Sequence, residues 1–243
     1  MSWAIGVAPV HGDGMLVSDV RVTFEAGEAD CLQKIHYVKP SILFGFAGSV
    51  KIGFRQTTAI KKELANAKLD RGWDIDQISR NWLPGLFRRF YDHSEDEERD
   101  LGSQIILVAA HPKKTHGGSG SPWIDAVKFC SPDFEPQTGF VNQPVVVGND
   151  KTLLRCLEAV KEACKQQFMI EMLIEDQAAQ AAALADTLLR YISEQPFQVG
   201  LVTLGESAIA NSNDSLQSKL VDTYAGFLKF CSENQLEPSR AVA

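Results

Sequence analysis

Short runs of β-forming residues dominate the first fifty positions, and helical spacing takes over after them. Strands are expected at Trp3–Val7, Met15–Phe24, Lys34–Val38 and Ser41–Phe46, then helices over about Lys51–Ala67 and Ile75–Tyr91. Strand patterns return at Gln104–Ala110, Trp123–Cys130 and Pro144–Gly148. Asp150 is placed to cap the next helix, which is expected to run to about Met169 with Leu153, Leu154, Leu157 and Val160 at helical spacing. An Ala- and Leu-rich helix over about Asp176–Ile192, a strand at Gln198–Leu204 and a helix near Ser215–Ser232 follow. No repeat, linker or low-complexity stretch interrupts this order, so it predicts one layered α+β domain over residues 1–243, with two sheets between helical layers.

The segment MLVSDVRVTF stands out within this pattern. Strand alternation puts Asp19, Arg21 and Thr23 on one face, opposite Val20, Val22 and Phe24. Charged residues are mostly exposed, so the segment taken alone reads as the polar, solvent-facing side of an edge strand. High burial is expected for Val20, Val22, Leu43 and Leu107.

Composition narrows the classes of function. A net charge of −7 without a basic patch argues against a nucleic-acid partner. No apolar run reaches the length of a membrane span, and MSWAIGVAPV lacks the basic start of a secretory signal, so a cytoplasmic protein is expected. The five cysteines, Cys31, Cys130, Cys156, Cys164 and Cys231, show no close metal-ligand pairing and read as reduced thiols. The acidic HSEDEERD reads as a solvated loop in preference to a metal site. HPKKTHGGSGSP reads as a long hairpin connection; its glycines lack the ending and the following helix of a phosphate loop. His111 and His116 lie in it without visible partner ligands, so no metal and no cofactor are expected.

Candidate chemistry sits at the start. Ser2 follows Met1, and its small side chain permits removal of the methionine, which leaves a hydroxyl and a free α-amine on one residue. Such a residue carries both a nucleophile and its own base. After it come AIG ending at Gly6, SDVRVT with Asp19, Arg21 and Thr23, QKI with Lys34, and GFAGSV with Ala47 and Gly48. This series resembles the proteasome β-subunit superfamily, which includes archaeal and bacterial β subunits and the peptidase of the bacterial heat-shock-locus protease. The element order resembles that family along nearly the whole chain, with motifs dense only in the first fifth.

The resemblance implies a four-layer αββα sandwich, the N-terminal-nucleophile hydrolase fold, and a peptidase working inside a ring-shaped chamber. It implies Ser2, Asp19 and Lys34 as catalytic residues, with Lys34 desolvated, paired with Asp19 and lowering the pKa of the hydroxyl. The Gly48 N–H would receive the oxyanion, Arg21 would brace the strand, and Asn149 would support the amine. Thr23, Phe46, Ala47 and Val50 would bind an extended peptide and shape its specificity pocket. Implied partners are unfolded polypeptide or peptide substrates, further copies of the chain and an optional ATP-dependent unfoldase.

Three positions depart from the family. Ser2 stands where proteasomal peptidases hold threonine, Asn149 where relatives have serine, and ISEQPF replaces the late Asp-Ser-Ala-Ser-Gly run, with Glu194 the nearest acidic candidate. Two classes of function therefore remain open: an active peptidase with Met1 removed, and a catalytically silent ring or scaffold subunit that retains it. An amidohydrolase acting on a small linear amide is a third, which the Asp-x-Arg-Val-Thr run disfavours.

Overall fold

The computed structural model describes residues 2–9, 13–66, 75–115, 122–148, 153–193, 195–216 and 219–243. Strands β1 (Trp3–Val7) and β2 (Gly14–Asp19) are buried at every position, so both of their faces must meet apolar partners. Alternation divides the work. Trp3, Ile5, Val7, Met15 and Val17 pack with residues of α5 (Leu153–Leu173) and α6 (Gln177–Leu189). Ala4 and Leu16 instead join a cluster with Leu43, Ile106, Val108 and Ala126 of a second sheet.

The first sheet runs in the order β10-β1-β2-β11-β12, with β10 (Val145–Gly148), β11 (Phe197–Thr203) and β12 (Glu206–Asn211). The second runs β5-β6-β7-β8-β9: Ile35–Lys39, Ile42–Gly48, Ser103–Thr115, Pro122–Cys130 and Gln137–Thr138. All of these pairings are antiparallel. Phe44, Phe46, Leu107 and Phe129 of the second sheet share a cluster with residues of α1 (Val50–Asn66), α3 (Leu83–Asp92) and α7 (Tyr224–Asn234). Val20, Val22 and Leu43 are fully buried and Leu107 is 2% exposed, as the apolar pattern requires.

Several boundaries differ from the sequence expectation. Met15–Phe24 is not one strand. It breaks at Val20, whose carbonyl accepts from the Cys31 and Leu32 N–H groups, and β3 (Arg21–Phe24) pairs with β4 (Gly27–Asp30) in a separate ribbon. Asp19 and Arg21 thus belong to different sheets, which ends the single polar face. The acidic stretch is not a loop but a short helix, α4 (Asp96–Asp100), with three carboxylates in its first turn, where the helix dipole favours them. Its Glu98 is buried and bonded to the Lys51 ammonium of α1. The helix expected from Ile75 contains α2 (Ile75–Gln77), a π-helical turn over Ile78–Trp82 and α3, with Pro84 shortly after the π-helical turn. β7 and β8 extend into the proposed hairpin connection as far as Thr115 and Pro122. Asp176 caps α6, accepting from the Ala179 N–H at 2.7 Å. The cap assigned to Asp150 lies outside the described residues. No helix among the described residues is long and apolar enough to cross a membrane.

Candidate functional site

Three of the sequence candidates meet where the chain leaves the first sheet for the second. Asp19 is the last residue of β2, opposite Phe197 of β11, while Lys34 immediately precedes β5. Ser2 immediately precedes β1, on the other side of β2. The Lys34 ammonium donates to Asp19 Oδ1 at 2.8 Å and to the Ser2 hydroxyl oxygen. Ser2 Oγ in turn donates to Asp19 Oδ1 at 2.9 Å, and the Trp3 N–H reaches the same oxygen at 3.2 Å. Asp19 and Lys34 have no exposed surface, and Ser2 is 4% exposed. The polar solvent-edge reading therefore fails for Asp19.

Burial governs the charges here. It pushes the Asp19 carboxyl above its ordinary range, against the attraction of Lys34 and the bonds from Lys34, Trp3 and Ser2. It likewise pushes the Lys34 ammonium below its ordinary range, against the attraction of Asp19. Each ion makes the other's charge less costly, and both converge on one hydroxyl. A lysine donor on Ser2 Oγ stabilises negative charge that develops there, which is what an attacking alkoxide needs.

Arg21 lies in β3 beside this cluster and binds elsewhere. Its guanidinium holds Asp30 through Nε at 2.8 Å and Nη2 at 3.3 Å, and Glu28 at 3.1 Å, tying β3 to β4. Thr23 and Gly48 flank residues 241–243, which are bonded to both. Gly48, at φ 101°, takes a backbone conformation that favours glycine, and an added Cβ would lie 2.5 Å from the Gly102 carbonyl oxygen. Ala47 is buried and pairs with Gln104 across β6 and β7. Phe46 is fully buried, stacked on His36 with centroids 6.0 Å apart and edge-on to Phe54 at 5.5 Å. Val50 is buried at the start of α1. Asn149 and Glu194 lie outside the described residues, as does Met1.

Supporting groups escaped the sequence reading. Gln198 Oε1 accepts from the Lys34 N–H at 3.0 Å and the Ile35 N–H at 3.4 Å, fixing the backbone that carries the lysine. Gln104 Oε1 accepts from the Gly148 N–H at 2.8 Å. Gly148, at φ 97°, packs so closely on Ser2 that an added Cβ would stand 2.0 Å from the Ser2 carbonyl oxygen. Gln104 therefore links the strand end at Ala47–Gly48 to the backbone at Ser2. An amide inside a strand pattern gives no sequence signal, whereas Gly148 closes the strand expected at Pro144–Gly148.

His111 Nε2 is bonded to Asp125 at 2.5 Å, and His116 lies outside the described residues. Burial pushes the Cys31 thiol up to about 12 and the Cys164 and Cys231 thiols to about 11, so none of these offers a thiolate at neutral pH. The chain matches no model of a known protein family, and no curated protein matches it in sequence.

Proposed function

We propose that the chain is a proteasome-like peptidase, a four-layer αββα sandwich whose nucleophile is Ser2 after removal of Met1. The observation that carries this reading is the buried contact set of Ser2, Asp19 and Lys34. Ser2 Oγ attacks the peptide carbonyl and its proton passes to the freed α-amine. Lys34 stabilises the alkoxide, Asp19 keeps Lys34 charged, and the Gly48 N–H receives the oxyanion. The amine then gives the proton to the departing amino group, and water resolves the ester to a carboxylic acid and the free hydroxyl.

Assembly into rings follows from the same reading, since an unselective peptidase in the cytoplasm has to be enclosed, with an ATP-dependent unfoldase as an optional feeder. On α5, Met169, Met172 and Leu173 are 56%, 66% and 78% exposed, at the spacing of one helix face. A face of that kind supports contact with another copy.

A second reading, the silent ring subunit that retains Met1, is favoured by the near-complete burial of Ser2. Intact mass of the purified protein, before and after reaction with an electrophilic peptide, separates the two. The peptidase reading expects loss of one methionine and one adduct on Ser2, abolished in Ser2→Ala and kept in Ser2→Thr. Retained Met1 without an adduct leaves the silent reading, and an adduct on a cysteine defeats the proposed nucleophile.

A further inference from the structure

Residues 241–243 run as a short strand through the groove between Thr23 and Gly48. Thr23 N–H donates to the Val242 carbonyl at 2.9 Å, and Val242 N–H donates back at 3.0 Å. On the other side, Ala243 N–H donates to the Gly48 carbonyl at 2.7 Å, the Gly48 N–H donates to the Ala243 carbonyl, and the Val50 N–H reaches the Ala241 carbonyl at 3.2 Å. These are the backbone groups by which a groove of this shape would hold an extended peptide. The Gly48 N–H that the mechanism reserves for the oxyanion is engaged by Ala243.

Side chains follow the alternation of a bound strand. Ala241 and Ala243 point to the same side and are buried in the cluster that contains Phe46, Val50 and Phe54, whereas Val242 is half-buried. Polar anchoring of the segment is weak. Arg240 meets Glu25 at 2.9 Å, but both side chains are more than half exposed, so the pair adds little.

Resting on the peptidase reading, we infer that residues 239–243 act as an intramolecular pseudosubstrate. They cover the groove in the chain's own resting state, and a substrate must displace them. They also report the groove's preference: extended peptides with alanine or another small residue at the positions of Ala241 and Ala243. A tethered segment competes at an effective concentration of about millimolar, so free peptides bind the covered groove poorly.

The test compares the full chain with a chain ending at Pro238 and with full-length Val242→Pro, which loses the N–H donated to Thr23. Two readouts are taken: the rate of Ser2 labelling by an Ala-Val-Ala electrophile, and hydrogen exchange at the Thr23, Gly48 and Val50 amides. Expected are faster exchange at these three amides in both variants, labelling faster by about tenfold or more, and suppression of that gain by millimolar acetyl-Ser-Arg-Ala-Val-Ala-amide. Unchanged exchange, or lost protection without faster labelling, overturns the inference even if Ser2 is labelled. If no form is labelled but both variants lose protection, the segment's seat in the groove stands, while the peptidase reading and the pseudosubstrate role fall together.

Discussion

Replacing Lys34 with alanine is the perturbation to which the site is most sensitive. The substitution leaves Asp19 fully buried, holding its bonds from Ser2 and Trp3 but without its counterion. Breaking one side of a buried ion pair costs about 3–5 kcal/mol, a large share of the roughly 5–15 kcal/mol that holds a domain together. At about 2–4 °C per kcal/mol for a chain of this size, Lys34→Ala should lower the melting temperature by about 6–20 °C. Removing both charges is milder. Asp19→Asn with Lys34→Met should lie within about 1.5 kcal/mol of the unchanged protein, because no unpaired ion remains.

The pH dependence supplies a second check on the same variant. Burial raises the folded pKa of Asp19, so its contribution to stability is fully present below the ordinary carboxylate value and is lost as pH rises through the folded value. Lys34→Ala removes the attraction that opposes this rise, so its deficit should shrink between about pH 7 and pH 4.5 as Asp19 takes up a proton. Urea unfolding of the unchanged protein, the single variant and the double variant at both pH values measures all of this. A Lys34→Ala protein within about 1 kcal/mol of the unchanged one at about pH 7, or a deficit independent of pH, would show that the pair is not buried as described.

Two further outcomes are expected. Gly148→Ala adds a methyl group against the Ser2 backbone and should cost about 2 kcal/mol or more and abolish Ser2 labelling. Gly205→Ala, at φ 85° with open space around it, should show only the backbone strain of about 1 kcal/mol and normal labelling, and equal effects at the two sites would refute the contact. His36 is the second case: burial pushes its pKa down to about 3, so stability is full above its ordinary value near 6.5 and falls as pH drops toward the folded value. Between about pH 7 and pH 5 this one group should remove about 2 kcal/mol, and His36→Phe, which keeps a ring over Phe46, should abolish that component in parallel unfolding curves.

Much of the site was legible only through the resemblance of Ser2, SDVRVT, QKI and GFAGSV, in that order, to a known family. Local rules alone read Asp19 as part of a solvent-facing edge, because charged residues are mostly exposed. What local rules cannot show is a change of sheet. The break at Val20 depends on Cys31 and Leu32 donating to its carbonyl, a contact set by the later hairpin and absent from the pattern of MLVSDVRVTF itself. Gln198 and Gln104 were missed for a related reason. An amide in a strand looks like an ordinary surface residue until its partner, Lys34 in one case and Gly148 in the other, is brought beside it. Residues 241–243 are too few to carry a period of their own, and their strand character comes wholly from pairing with Thr23 and Gly48.

The same junction that buries the ion pair also creates the groove. Asp19 and Lys34 sit where β2 ends and β5 begins, so backbone groups there are free to bond to side chains, as Trp3 does to Asp19 and as Lys34 does to Gln198. Thr23 pairs with Glu28 of β4, Gly48 with Ser103 of β7, and Val50 opens α1, and each N–H must still find a partner. Residues 241–243 supply it. An uncovered groove would have to hydrate these donors while exposing Ala241, Ala243 and the apolar cluster beneath them, which costs free energy for every methyl group returned to water. Under the proposed reading, a bound extended peptide would restore both the bonds and the apolar cover. It would differ from the tethered segment in side-chain fit at the two alanine positions, since the backbone bonds would be common to both.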